Sequence, residues 1–228
     1  MMNKPHGRRN IPLILVPFGR HLVYAEGTKT EPHYVEDLKV FVSEQLGVRK
    51  DDIEIIPVKM NKSQHTVDLV RFAIDDVEKR KRNQEIINYV WVFYDKDDHK
   101  NFDKAYQLIK KQDEIDANIE WKACWSNECF EVWVYHYFEN LETPIERSQY
   151  IKKINTFLKK NKSPKEYKKN MEGLHHFLTQ YGGDIRKAMT LMKNKDIDSC
   201  IKPNPSSGIY QFAEFILAYI DDKMSKKT

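Results

Sequence analysis

Apolar positions along this chain alternate between two kinds of pattern. Short unbroken runs have the length and the β-branched and aromatic content of strands buried on both faces: His21-Leu22-Val23-Tyr24-Ala25, Val90-Trp91-Val92-Phe93-Tyr94 and residues 119–125, with a shorter set at Ile53, Ile55, Ile56 and Val58. Between and after them, apolar residues recur at helical spacing. Tyr34, Leu38, Phe41 and Val42 form one such stripe, Val67, Val70, Ile74 and Val77 a second, and Phe102, Ala105, Leu108 and Ile109 a third. Phe130, Val132, Trp133, Val134, Tyr137 and Phe138 mark a fourth helix. Strand and helix thus alternate four times over residues 18–140, which predicts an α/β fold with a mainly parallel sheet of about four strands and right-handed crossovers.

Local signals place some boundaries. Thr28 and Glu31 have capping-box spacing and Pro32 suits a first helical turn; the two signals imply caps a residue or more apart, and either opens a helix that runs to about Leu46. Gly47 follows as its C-terminal glycine, and Ser126-Asn127 reads as an N-cap pair before the fourth helix. Beyond Pro144 the strand signal fades. Helical patterns appear near 146–160, 164–181, 184–193 and 208–219, punctuated by Gly182-Gly183 and by Pro203-Asn204-Pro205-Ser206-Ser207. Residues 141–228 are therefore expected to form a helical extension packed on the sheet domain of residues 18–140.

With 228 residues, 32% of them charged and 12% aromatic, the chain has the composition of a well-packed globular protein. It contains no apolar run near the roughly 18 residues of a membrane span. The basic stretch 1–10 precedes only a short apolar run that Pro12 and Pro17 interrupt, so a cytoplasmic protein without membrane attachment is expected. Cys124, Cys129 and Cys200 show no paired spacing and suggest neither disulfides nor a zinc site. Charge is unevenly placed. Residues 141–228 hold 17 Lys and Arg against 10 Asp and Glu, whereas residues 1–140 hold 21 against 24. Nine basic residues and one acid fall within 147–169. Lys152, Lys153, Lys159, Lys160 and Lys162 are candidate nucleic-acid contacts, the plainer reading being a solvated helix face.

Chemistry concentrates where strands end. The third strand runs into Asp95-Lys96-Asp97-Asp98-His99, and an extended backbone puts Asp95 and Asp97 on one face. The first strand ends at Glu26-Gly27, and the fourth leads to Ser126 and, a helical turn on, Glu131. In a parallel sheet these carboxyl ends share one edge, where open α/β sheets bind ligands. Converging carboxylates suit a hard divalent cation, Mg²⁺ or Mn²⁺, against the alternative of an acidic solvated turn. Glu31 is either a capping residue or another ligand. Lys96 points to the opposite face, His175-His176 reads as surface or core, and Trp121, Trp125 and Trp133 read as core.

Several of these segments together resemble one family. Tyr24-Ala25-Glu26-Gly27-Thr28-Lys29-Thr30-Glu31-Pro32-His33-Tyr34 is similar to the EGxxTExxY opening of RloB-like proteins. Val92-Phe93-Tyr94-Asp95-Lys96-Asp97-Asp98-His99 resembles their DxDxH segment, and Ser126-Asn127-Glu128-Cys129-Phe130-Glu131-Val132-Trp133 their SNPxFExW block, with Glu128 where proline is expected. Asn204-Pro205-Ser206-Ser207 resembles their closing NPST stretch.

The resemblance implies a fold similar to the Toprim domains of topoisomerases, primases and overcoming-lysogenization-defect nucleases. It also implies a place in bacterial antiphage or abortive-infection systems beside an ABC-type ATPase. The expectation that follows is a Mg²⁺- or Mn²⁺-dependent nuclease cleaving DNA or RNA. Asp95 and Asp97 would be ligands, Glu26 a ligand or general base, and Glu131 and Glu31 further ligands. Asp98, His99 and Ser126 would support them by hydrogen bonding. The alternative is a non-catalytic subunit that binds a partner or nucleic acid on a degenerate Toprim scaffold. A homo-oligomer is left open. There is no Gly-rich phosphate loop, which argues against ATP hydrolysis by this chain.

Overall fold

The four apolar runs form strands β1 (His21–Glu26), β2 (Ile53–Val58), β3 (Tyr89–Asp95) and β4 (Glu120–Asn127) in this computed structural model. It describes residues 18–47, 50–59, 66–96, 101–195 and 203–225. The four pair in parallel, and a two-residue strand β5 (Ser206–Ser207) adds antiparallel to β4, giving the order β2-β1-β3-β4-β5. The sheet is thus one strand larger than the periodicity predicts. Two residues are too short to leave a periodic trace, and Ser206-Ser207 reads locally as a turn.

Alternation along the strands divides the core in two. Leu22, Tyr24, Val90, Val92, Trp121 and Trp125 face α2 (Thr66–Arg82) and α3 (Phe102–Ile115). Val23, Ala25, Trp91, Phe93 and Cys124 face α1 (Thr30–Leu46), the short α4 (Glu131–His136) and the C-terminal helices. Those helices are α5 (Arg147–Lys160), α6 (Leu174–Gln180), α7 (Ile185–Lys195) and α8 (Tyr210–Ser225). Tyr150, Leu178, Ala188 and Phe212 lie fully buried in the same cluster as Val23, so the extension shares the sheet's core. Both faces of the sheet are covered, as a parallel sheet requires. None of the helices described is long and apolar enough to cross a membrane.

Several polar groups inside this core are paired with one another. His21 is fully buried, its Nε2 lying 2.7 Å from the Phe18 carbonyl while its Nδ1 accepts from Trp91 Nε1 at 3.0 Å. Trp133 Nε1 donates to Tyr34 Oη at 2.7 Å, Tyr34 Oη pairs with Tyr137 Oη at 2.7 Å, and Tyr137 Oη meets His175 Nδ1 at 3.1 Å. That chain ties α1 to α4 and α6 beneath the sheet edge, where unmatched groups would each cost about 1–3 kcal/mol. Trp121, Trp125 and Trp133 are buried as expected, and Cys124 and Cys129 are buried free thiols.

Three local expectations change. β4 runs through Ser126-Asn127, which pair with Ser207 and Ser206, so these residues end a strand rather than cap a helix. Ser207 Oγ and Gly208 N both donate to the Trp125 carbonyl, at 3.0 and 2.8 Å. A Cβ on Gly208 would sit 2.6 Å from the Ala123 carbonyl, which is why the chain needs glycine at this approach. Of the two helix-start signals, the capping box is not used: α1 has Lys29 at its N-cap and no side-chain cap bond, and Pro32 lies in its first turn. Lastly, the expected helix over 164–181 reduces to α6, and residues 161–173 run as a non-helical strap across the end of the sheet. Asn170 and Gly173, both at φ 65°, turn the strap out of helical geometry.

Candidate functional site

Parallel register brings the strand ends to one edge. Glu26 stands opposite Val58, Ala25 opposite Phe93, and Asp95 opposite Ser126. Gly27 leaves β1 at φ 83°, a conformation that disfavours any side chain, although nothing lies within 4 Å of where a Cβ would be. Its N–H donates to the Val58 carbonyl at 3.1 Å. This turn brings the first turn of α1, with Glu31, back over the sheet edge. A carboxylate is favoured there by the exposed N–H groups and dipole of the helix. On the other side, β4 leads through Cys129 and Phe130 into α4, whose first residue Glu131 is 1% exposed.

The four acids feel one another. Burial pushes the Glu31 carboxyl up to about 7, and the charges of Glu131 and Glu26 add to the effect while Lys169 opposes it. Asp95 is held well above the usual carboxylate range, first by burial and then by Glu31 and Glu131. A backbone N–H of Phe130 and the charge of Arg147 work in the other direction. Desolvation and like charge thus act together on one cluster, the combination that makes carboxylates candidates for function.

The extension closes the cluster. Tyr167, buried at 1% exposure, donates its hydroxyl to Glu131 Oε1 at 3.1 Å, and Lys169 Nζ lies 3.4 Å from the same oxygen. Asn155 of α5 grips the Tyr167 backbone from both sides, accepting from its N–H at 2.7 Å and donating to its carbonyl at 3.3 Å. Asn170 fastens the strap to α1, receiving the Thr30 hydroxyl at 3.0 Å on Oδ1 and the His33 ring at 3.1 Å on its carbonyl. Tyr167, Lys169 and Arg147 were not singled out from the sequence. A tyrosine between Pro164 and Asn170 in an otherwise charged stretch was the available signal, and a helical reading of 164–181 concealed it.

Of the residues expected at the site, Glu26, Glu31, Asp95 and Glu131 come together, while Asp97, Asp98 and His99 lie outside the described residues. Ser126 is buried beside Ser207, the two hydroxyls 3.5 Å apart. Lys96 sits over the Phe102 ring at 5.9 Å, turned from the cluster, and His175 is a buried member of the hydrogen-bonded chain described above. Lys152, Lys153, Lys159, Lys160 and Lys162 are exposed, opposite the buried Tyr150, Ile154 and Leu158 of α5. Among the described residues no three His, Cys, Asp or Glu side chains are grouped closely enough to hold a metal ion. In kind, though, the donors fit a hard cation: all are carboxylates, and burial first, then neighbouring negative charge, makes two of them resist ionisation.

These features define an α/β protein whose mainly parallel sheet carries a partly buried carboxylate cluster at its carboxyl edge, the place where such sheets bind ligands. The family model of the RloB-like protein matches residues 21–216, from the first residue of β1 into α8. The chain belongs to the RloB-like family. Neither a comparison with curated proteins nor one with solved structures gives a match.

Proposed function

We propose that this chain is a divalent-metal-dependent nuclease of Toprim type that hydrolyses phosphodiester bonds in DNA or RNA. The observation that carries this reading is the convergence of Glu26, Glu31, Asp95 and Glu131 from four separate segments on one partly buried patch. A cluster of that kind is destabilising by itself and is relieved by a cation. Asp95 and Glu26 would hold the ion, together with Asp97 and Glu31. A bound Mg²⁺ or Mn²⁺ supplies charge neutralisation at the phosphate and a more acidic water.

The chain's own residues do the rest. Glu26, beside the open turn at Gly27, would take a proton from an attacking water if it is not itself a ligand. The Phe130 N–H fixes the Asp95 carboxylate, and Ser126 sits opposite Asp95 in register. The exposed lysines of α5 and the strap would track the nucleic-acid backbone. Family membership supports a role in antiphage defence beside an ABC-type ATPase.

The test is cleavage of single- and double-stranded DNA and RNA by the purified chain in Mg²⁺ or Mn²⁺, alone and with the neighbouring ATPase. Cleavage that is lost in Asp95→Asn and Glu26→Gln, with folding intact, is the expected result. No cleavage under any of these conditions refutes the reading. One observation favours a second reading, a partner- or nucleic-acid-binding subunit without catalysis: five lysines of α5 and the strap are exposed. That reading predicts nucleic-acid binding that is indifferent to Mn²⁺ and to Asp95→Asn.

A further inference from the structure

Glu131 is the most deeply buried acid of the cluster, and the chain itself already occupies it. Its side chain is 2% exposed, whereas that of Lys169 is 45% exposed, so the ammonium reaches in from the rim. Oε1 of Glu131 receives the Tyr167 hydroxyl at 3.1 Å and the Lys169 ammonium at 3.4 Å. The Tyr167 hydroxyl takes one lone-pair position of that oxygen, and the Lys169 ammonium pairs with the same oxygen as an ion. Cys129 also directs its thiol at the Glu131 side chain. The donors are not chance surface contacts. Tyr167 is clamped at both backbone groups by Asn155, and Asn170, next to Lys169, is bonded to Thr30 and His33. The strap therefore delivers one hydroxyl to Glu131 and one positive charge that pairs with Glu131 and is also felt by Glu31.

We propose that Lys169 stands in for a second metal ion in this site: Glu131 is the seat of its ammonium rather than a metal ligand, and the chain takes one divalent ion, on the Glu26–Asp95 side. This rests on the metal-dependent reading above and sharpens it. A lysine ammonium is a compact point charge with three donors, able to satisfy a carboxylate as a cation does while leaving the neighbouring acids free for a metal. Lys169 thus enters the site as a positioning residue, and its charge, not its shape, is what the site uses.

The experiment is a Mn²⁺ titration of the full-length chain, with binding followed by calorimetry and by the paramagnetic resonance signal of free Mn²⁺. About one equivalent is expected to bind wild type and Lys169→Arg, and about two to bind Lys169→Gln, where the Glu131 side is released to the metal. Thermal melting supplies a second readout: added Mn²⁺ should raise the midpoint of Lys169→Gln more than that of wild type. Two equivalents on wild type overturn the proposal without any variant, should Lys169→Gln fail to fold. One equivalent on both wild type and Lys169→Gln overturns it while sparing the metal-dependent reading. No Mn²⁺ on either protein overturns both.

Discussion

Replacing Glu31 by glutamine should make the metal-free protein more stable at neutral and alkaline pH, and only there. Folding raises this carboxyl from an ordinary 4.5 to about 7, because it is buried and because Glu131 and Glu26 face it. The unfolded chain gives up the proton near pH 4.5, while the folded chain holds it until near pH 7. The folded state therefore binds more protons across that window, and the group's contribution to stability falls as pH rises through it. A rise of that size is worth at most about 3 kcal/mol, and about 2 kcal/mol once allowance is made for the part of the side chain that still meets solvent.

Glutamine keeps the shape and cannot ionise. In urea unfolding with chelator present, Glu31→Gln should exceed wild type by about 2 kcal/mol at pH 8 and by little at pH 4. The buried His21, His136 and His175, each held down to about 4, bend both curves at acid pH and cancel in the difference. With Mg²⁺ in excess the gain should vanish or reverse, since the ion then favours the charged wild-type site. A difference between the two proteins that does not change with pH, or that grows toward acid, refutes the electrostatic account of the cluster.

Two further perturbations test the strap and the basic face. Asn155→Ala removes both bonds to the Tyr167 backbone and should cost about 1–2 kcal/mol in a local opening. Faster tryptic cleavage at Lys165 and Lys168 is the expected sign, and cleavage at the wild-type rate would show that Asn155 does not hold the strap. Charge reversal of Lys152, Lys153, Lys159, Lys160 and Lys162 should weaken nucleic-acid binding and flatten its salt dependence by roughly 0.9 log unit per lost phosphate contact. An unchanged slope would remove α5 from the nucleic-acid surface.

What could be read from the sequence follows from how strongly each element is constrained. The parallel strands were readable because burial on both faces demands continuous apolar runs, and Val90-Trp91-Val92-Phe93-Tyr94 has no polar interruption. The convergence of Glu26, Asp95 and Glu131 followed from topology alone, since parallel strands open on one edge. The strap escaped because Tyr167, Met171, Leu174 and Leu178 recur at helical spacing although Asn170 and Gly173 break the helix between them. Spacing records which side chains are apolar and not whether the backbone between them is continuous. Ser126-Asn127 misled for a related reason: both residues favour caps in isolation, but pairing with Ser206-Ser207, distant in sequence, holds them extended.

The neighbours of the acids show how such a cluster is kept assembled. Tyr24 and Ala25 before Glu26, Phe93 and Tyr94 before Asp95, and Phe130 and Val132 on either side of Glu131 are all between 0% and 1% exposed. Each of these three carboxylates is thus bracketed or preceded by some of the most tightly packed residues in the chain. Mutual repulsion would otherwise be relieved by a small backbone shift toward water. It is resisted here because any such shift would open the apolar core, and deleting buried large side chains costs several kcal/mol each. A solvated acidic turn needs no support of this kind. The same reasoning gives the strap its place: Tyr167 and Lys169 are the polar counterpart of that packing, supplying a hydroxyl and a charge where core atoms cannot satisfy Glu131.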